Sequence, residues 1–195
     1  MYKNQLLFPA AVLALLVGTA AAQSQTWNID PPHSTAQFSV RHLGISTVRG
    51  AFTKVSGTVQ YDTANPAKTV IDASIDASSI DTRVDMRDND LRSANYFDVA
   101  KFPTITFKSK KVEAAGTGKL KVTGDLTIHG VTKEAVLDVD GPSAPVKDPW
   151  GNNRIGVSAS TKINRQDFGV SGGGAMIGDD IPITIDMELT QAKAK

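Results

Sequence analysis

The chain has 195 residues, and its 21 Lys and Arg against 20 Asp and Glu give a formal net charge of +1. This balance excludes attraction of nucleic acid or of an anionic membrane through bulk charge alone. The absence of cysteine excludes disulfides and thiol catalysis. For an exported protein it fits a bacterial periplasm or exterior better than a small disulfide-stapled scaffold.

The first 22 residues are predicted to be a cleaved secretion signal. Lys3 precedes an apolar run from Leu6 to Ala20, and residues 20–22 are three alanines, the small side chains that signal peptidase requires. The alternative is a retained membrane anchor, but the run is shorter than the ~20 residues that a spanning helix needs. We therefore expect cleavage near Ala22, a periplasmic or secreted location, and a single domain over residues 23–195.

Eight segments of the remaining chain alternate between apolar and polar residues, which predicts half-buried β-strands. In chain order they are residues 36–41, 55–61, 71–76, 105–108, 120–128, 137–139, 155–159 and 181–189. Glycine, proline and asparagine between them are typical of turns. The highly charged stretch 78–97 lacks the alternation and is predicted to hold a short helix around residues 87–95.

Eight antiparallel strands can close into a barrel or stack as a sandwich, and closure removes exposed strand edges. The inward rows include small residues such as Gly57, Ala73 and Gly124, and only 12 of 195 residues are aromatic. Small inward side chains leave volume inside a barrel, so an apolar cavity would follow from closure. The pattern alone favours the barrel and leaves the sandwich open.

Seven groups of short motifs, in order along the chain, carry a family resemblance. They are WNID at 27–30 with HS at 33–34 and FSVRHL at 38–43; STVRGAF at 46–52; DTR at 81–83 with RD at 87–88; LRS at 91–93 with YFD at 96–98; PTITF at 103–107; GDLTIHGVT at 124–132; and INRQDFG at 163–169. On these motifs the chain resembles the YceI-like family of exported bacterial proteins. The resemblance implies an all-β fold, a lipocalin-like antiparallel eight-stranded barrel, with an apolar tunnel for a polyisoprenoid chain.

The resemblance also implies a binding protein rather than an enzyme. We expect it to hold a lipid of the quinone, prenyl or prenyl-pyrophosphate type for transport, storage or sequestration, without a cofactor. Each buried CH₂ group would contribute about 0.8 kcal/mol, which offsets the cost of ordering a flexible chain. The expected partner is this small apolar lipid and no nucleic acid. Transient membrane contact, and a monomer or a homodimer, are compatible with the sequence.

Thirteen residues are candidates for contact with the ligand, and all but one are apolar residues of the predicted strands or of the motifs. Each of the apolar ones could instead be ordinary packed core. The candidates are Phe38, Val40, His42, Phe52, Ile105, Phe107, Leu126, Ile128, Ile155, Val157, Phe168, Ile183 and Ile185.

Four further residues are candidates for contact with a polar head group: His33, Arg83, Arg87 and Arg92. Guanidinium groups suit phosphate. The interpretation we favour for the three arginines is ion pairing with the neighbouring aspartates at 81, 85, 88 and 90. The three histidines of the chain lie in separate segments without a paired spacing, so no metal site is predicted. No Gly-x-Ser-x-Gly motif occurs, and no catalytic residue is predicted.

Two other functions remain as alternatives. An enzyme acting on an isoprenoid or another lipid in the same cavity would need a titratable pair inside the barrel, which the sequence does not display. An outer-membrane barrel would need an apolar outer band with aromatic girdles, whereas one face of nearly every predicted strand is polar. The leading hypothesis depends on the apolar faces enclosing a hollow.

Overall fold

The computed structural model describes residues 24–62 and 65–191, so the predicted signal peptide lies outside the described residues. This part of the chain forms twelve strands and one α-helix, α1, at Asp85–Arg92. The strands are Gln25–Ile29 (β1), Thr35–His42 (β2), Ser46–Phe52 (β3), Val55–Tyr61 (β4), Val70–Asp76 (β5), Ile80–Asp81 (β6), Thr104–Ala114 (β7), Lys119–Ile128 (β8), Val131–Asp140 (β9), Val146–Lys147 (β10), Asn153–Asn164 (β11) and Asp180–Gln191 (β12).

Eight of these strands close into a barrel. They pair in the order β11-β9-β8-β7-β5-β4-β1-β12, and β12 then pairs back along its length with β11. The pairs are antiparallel. The predicted eight-stranded antiparallel barrel is therefore confirmed, and the sandwich is excluded because the ring has no free edge.

One strand of the ring differs from the prediction: the ring contains β1 instead of β2, which holds the predicted segment 36–41. β12 pairs with β1 through residues 189–191 and with β2 through residues 183–186, so β1 and β2 lie end to end along one edge of β12. β1 completes the ring, while β2 continues into β3 and β6 beyond it. The sequence did not predict β1 because only Trp27 and Ile29 of its five residues show the alternation.

The predicted helix exists, but its bounds were wrong by two residues at the start and three at the end. It begins at Asp85 and ends at Arg92, where Ser93 turns to extended backbone and its N–H donates to the carbonyl of Asp90. Asp88 faces inward from the helix and accepts hydrogen bonds from the backbone N–H and the hydroxyl of Thr82. These bonds fix α1 beside β6.

Apolar side chains form two packed clusters. One lies where β1, β4 and β11 meet β12 and contains Trp27 and Leu189. The other reaches from Val122 on β8 to Ile80 on β6. Ile80, Val122 and Leu189 are less than 2 % exposed. No helix in the described part of the chain is both long and apolar enough to cross a lipid bilayer.

Candidate ligand-binding cavity

The barrel encloses an apolar cavity of about 230 Å³. Side chains from β2, β4, β5, β7, β8, β9, β11 and β12 line it, and nearly all are aliphatic or aromatic. Alternation explains the lining, because successive residues of a strand point to opposite faces and every second residue therefore faces the interior. The polar residues between them form the outer surface.

The cavity is long and narrow. Along β12 its wall includes every second residue from Ile181 to Leu189. Eight residues of antiparallel strand rise by about 27 Å at ~3.4 Å each. A lining that extends along a strand in this way gives the cavity the elongated shape of a tunnel, which suits a slender chain better than a compact ligand.

Several side chains that line the cavity keep accessible surface. Ile183 and Ile185 are only partly buried, whereas Leu189, on the same face of β12, is 1 % exposed. Ile71 and Ile75 on the opposite wall are also partly buried. Native interiors are normally close-packed, so unfilled surface along facing rows indicates a hollow rather than a core.

Twelve of the thirteen residues predicted to contact a ligand line this cavity, and the exception is His42. His42 ends β2, where its backbone bridges to Ile177, which does line the cavity. Some of the twelve, such as Phe52 and Phe168, are also buried in the packed cluster. For those residues the alternative of ordinary core holds as well.

Sequence reasoning missed the part of the wall that comes from irregular segments. Leu91 of α1, together with Tyr96 and Phe97 in the segment that follows, closes the cavity beside Phe52. The rings of Phe52 and Phe97 meet edge to face, with centroids 5.5 Å apart. The many charges between residues 81 and 92 hid these apolar residues, although the motif at 96–98 was a usable signal.

Among the residues that the structure describes, the charged side chain on the cavity wall is Arg165, which lies in the last of the family motifs. Its side chain is 6 % exposed. Its three nitrogens donate to five backbone carbonyls between residues 170 and 178, at 2.8–3.3 Å, and Nη2 lies 3.1 Å from a carboxylate oxygen of Asp179. The five N–H groups of a guanidinium are thereby used. Arg165 fixes the loop that ends the barrel and has no donor left for a ligand.

The arginines predicted near a head group lie away from the cavity wall. Arg87 donates to the hydroxyl and the carbonyl of Thr82 at 2.7 and 2.9 Å. Arg92 donates to two carbonyls in the segment 78–80 at 2.8 and 2.7 Å, and Arg83 is exposed. The favoured interpretation, ion pairing with the neighbouring aspartates, was wrong for Arg87 and Arg92, because their guanidiniums bind backbone carbonyls and the side-chain oxygens of Thr82 and Asn89 instead.

His33 lies in a polar network on the outside of the barrel. Its Nδ1 is 2.9 Å from Oδ2 of Asp30. Nη1 of Arg154 is 2.6 Å from the same Asp30 oxygen and 2.5 Å from Oε1 of Glu188. Ligand atoms of Asp30, His33 and Glu188 lie within 4.8 Å of one another, close enough for a metal ion. The guanidinium of Arg154 already supplies the positive charge between the two carboxylates.

Arg154 also binds a third carboxylate, that of Asp148, through Nε at 2.9 Å. Hydrogen bonds from Asn152 and then Arg154 hold the pKa of Asp148 well below its ordinary value. Hydrogen bonds with His33 and then Arg154 lower the pKa of Asp30. Both shifts follow from stabilisation of the ionised carboxylate.

One polar atom in the cavity wall lacks a partner. The hydroxyl of Thr69 is buried and lines the cavity, and it makes no hydrogen bond to any described residue. Thr69 lies just before β5, on the same side of the cavity as Tyr61 at the end of β4. Most buried hydroxyls are paired, so Thr69 is an exception, and its hydroxyl oxygen has almost no surface accessible from the cavity in this rotamer.

The fold and the cavity together define a single class of protein, an antiparallel β-barrel built around an apolar tunnel. The family model of the YceI-like domain matches residues 27–189, and the chain belongs to that family. A UPF0312 protein of Vibrio cholerae is 39 % identical over 171 residues, which are 87 % of each chain.

Two solved structures show the same fold. A YCEI protein of Campylobacter jejuni has a TM-score of 0.69 and 36 % identity, over 78 % of this chain and 90 % of its own. A polyisoprenoid-binding domain from Saccharophagus degradans has a TM-score of 0.64 and 20 % identity, over 86 % of this chain and 99 % of its own. The matched region lies inside the predicted domain of residues 23–195, whose bounds stay a prediction.

Proposed function

We propose that the protein is an exported lipid-binding protein that holds a polyisoprenoid chain in the barrel for transport, storage or sequestration. The observation that carries the proposal is the apolar tunnel, whose inward-facing isoleucines keep surface that no protein atom covers. Such a wall has few directional contacts to offer, so it suits a ligand that is itself a flexible hydrocarbon.

Energetics support this assignment. A prenyl chain gains roughly 0.8 kcal/mol for each CH₂ group removed from water, and a preformed tunnel lowers the cost of ordering the chain. Among the described residues, the wall includes no carboxylate, histidine or lysine, and its arginine is fully bonded to backbone. This lining favours holding a lipid over transforming it. The shared fold of the polyisoprenoid-binding domain of Saccharophagus degradans points to the same class of ligand.

The polar end of the ligand is assigned to the neighbourhood of Thr69. Rotation about χ1 of Thr69 would turn its unpaired hydroxyl toward a quinone carbonyl or a prenyl alcohol in the cavity. Arg83, Arg87 and Arg92 lie away from the cavity wall, which argues against a role for them in binding a pyrophosphate. Thr69→Val keeps the shape and removes the hydroxyl, so it should weaken binding of a quinone more than binding of a plain hydrocarbon.

Organic extraction of the protein purified from its own cells, followed by mass spectrometry, tests the proposal. The wild type should carry an isoprenoid lipid in stoichiometric amount. Ile185→Trp should lose it, because the indole fills the tunnel. Thr184→Trp is the matched control: it adds the same ring one residue away, on the exposed face of β12, and should keep the lipid.

Two results would contradict the proposal: a wild type that carries no lipid, or the same lipid content in both tryptophan variants. Export is tested separately by fractionation and intact mass. Exported protein should have lost about the first 22 residues.

A further inference from the structure

The hairpin that joins β2 and β3 ends in exposed apolar side chains. Leu43 is 53 % and Ile45 is 81 % exposed, and Met176 of the neighbouring loop is 55 % exposed. The N–H of Leu43 donates to the carbonyl of Met176 at 2.7 Å, so the three residues form one surface. We call Leu43, Ile45 and Met176 the apolar tip. Grouped apolar side chains at the surface, unlike scattered ones, mark sites of interaction.

The backbone conformation at the apolar tip disfavours leucine at position 43. Leu43 has a φ of 51° and the next residue, Gly44, a φ of 70°. Left-handed positions in hairpin turns favour glycine, asparagine and aspartate, because other side chains collide with the backbone there. Leu43 is therefore disfavoured both by its conformation and by its exposure to water, so neither local folding nor solubility explains it.

The apolar tip is continuous with the tunnel. Ile177, directly after Met176, lines the cavity and bridges to the backbone of His42, directly before Leu43. Val40, two residues further along β2, is also part of the wall. A lipid leaving the tunnel at this end would pass from one apolar surface to the next.

Charges beside the apolar tip are mainly positive. Arg41 and Arg49 are exposed on the outer face of the hairpin, and Arg41 donates to Thr47 and Gly44 rather than to a carboxylate. The two acidic residues nearby, Asp179 and Asp180, are already paired with Arg165 and Lys162 respectively.

A second exposed apolar pair, Val146 and Trp150, differs in its surroundings. It belongs to the loop between β9 and β11, next to a groove whose lining includes Asp140, Asp186 and Glu188. The groove also includes Arg154, and Asp140 and Glu188 are paired with Lys119 and Arg154, so its charge is mixed. At the hairpin, by contrast, Arg41 binds no carboxylate and its positive charge stays available to an anionic surface.

We propose that the apolar tip docks on the surface of an anionic phospholipid bilayer, with Ile45, Leu43 and Met176 entering the head-group region and Arg41 and Arg49 facing the lipid phosphates. Apolar insertion combined with basic residues is the general requirement for interfacial binding. The inference rests on the proposed function for its purpose, since docking would place one end of the tunnel at a source of apolar lipid.

Vesicle co-sedimentation tests the docking. Vesicles of phosphatidylcholine with an equal part of phosphatidylglycerol are compared with vesicles of phosphatidylcholine alone. The protein is produced from its complete gene, and intact mass verifies that all variants carry the same N-terminus. Leu43→Ser with Ile45→Ser should lower the partition coefficient on anionic vesicles by about tenfold or more. Arg49→Gln should lower it on anionic vesicles only.

The matched control is Val146→Ser with Trp150→Ser, which removes exposed apolar surface from the other loop. It should leave partitioning unchanged. Because these positions are exposed, all variants should fold, which circular dichroism checks. The single variant Met176→Ser gives an independent second measurement at the tip and should also reduce binding.

Three results would overturn the docking proposal. They are a wild type that does not bind anionic vesicles, an equal loss in the control variant, and unchanged vesicle binding in a tip variant whose sedimentation shows that a dimer has become a monomer. The last result would mean that a second copy covers the tip. Lipid extraction of the same samples keeps the two proposals separate, since vesicle binding does not require an occupied tunnel.

Discussion

The barrel ring and the irregular region at its end are stabilised in different ways. In the ring, backbone pairing between neighbouring strands carries the structure, so inward side chains such as Ile183 and Ile185 need not meet one another. In the irregular segments, residues 77–103 and 165–178, backbone carbonyls have few strand partners. There side chains are densely packed, as Ile80 at 0 % exposure shows, and the buried Arg165 and the partly buried Arg92 bind the carbonyls.

The structural cost of the hollow in the ring is offset in the irregular region. A cavity forfeits packing contacts along its wall, so the remaining structure must hold the ring in shape. Arg165 does this at one end by joining five carbonyls of one loop. We therefore expect substitutions in the irregular region to affect stability most, and those in the ring to affect binding most.

The largest effect is expected for Arg165→Met. The change removes five hydrogen bonds and leaves the buried carbonyl of Val170 and four less buried carbonyls unpaired, so the free energy of unfolding should fall by about 4 kcal/mol. Urea unfolding followed by circular dichroism measures it. Arg165→Lys should recover only part of the loss, because an ammonium has three donors without the planar geometry. Arg49→Met, at an exposed arginine, is the control, and a comparable loss there would refute this role for Arg165.

The same isoleucine-to-alanine change in each region compares how tightly the two regions are packed. Ile80→Ala in the packed region should lower the free energy of unfolding by about 3–4 kcal/mol, since it opens a new cavity. Ile183→Ala should cost only about 1–2 kcal/mol, because its side chain already borders a cavity and is only partly removed from water. Equal losses in urea unfolding would mean that the tunnel wall is as tightly packed as the core.

Sequence alternation was sufficient to predict most of the ring, because a period of two assigns inward and outward faces directly. It found seven of the eight ring strands and missed β1, whose row contains only two inward residues, Trp27 and Ile29. It also identified the inward residues correctly. Whether those side chains meet across the barrel depends on its width, which alternation does not encode. The hollow was expected from the resemblance and from the small inward residues; of these, Ala73 lines the cavity, whereas the ring of Phe107 occupies the space beside Gly124.

The irregular region was beyond the same reasoning. At the turn of residues 164–168 the Asn164 side chain accepts a hydrogen bond from the N–H of Gln166, a contact local in sequence that is typical of asparagine in turns. That the neighbouring Arg165 reaches residues 170–178 depends on the path of a later loop. Local sequence carries no information on such a path. For the same reason the aspartates near Arg87 and Arg92 suggested ion pairs that the chain does not form.

The network around Arg154 should give a smaller, pH-dependent effect. The pKa values of Asp30 and Asp148 are lowered from 3.8, so their ionised forms stabilise the fold above about pH 4 and this contribution is lost as the pH falls further. In Arg154→Gln, the unfolding midpoint in urea should therefore drop less between pH 7 and pH 3 than in the wild type. Arg49→Gln should follow the wild type. If Arg154→Gln responded to pH like the wild type, the network around Arg154 would not be the source of the pH-dependent stability.

The smallest expected change in stability connects the fold to the docking proposal. Asparagine tolerates the left-handed conformation better than leucine, so Leu43→Asn should raise the free energy of unfolding by up to about 1 kcal/mol. The same change removes an apolar side chain from the tip and should weaken binding to anionic vesicles.

Leu43→Ile separates these two effects, because it keeps the apolar surface while its branched Cβ fits the positive φ less well. It should lower stability and preserve vesicle binding. Higher stability with weaker vesicle binding in Leu43→Asn, together with lower stability and unchanged binding in Leu43→Ile, would show that Leu43 is retained for contact with the bilayer although it destabilises the hairpin. If both variants changed stability and binding in the same direction, the leucine would be part of the hairpin's own structure, and the apolar tip would lose its strongest argument.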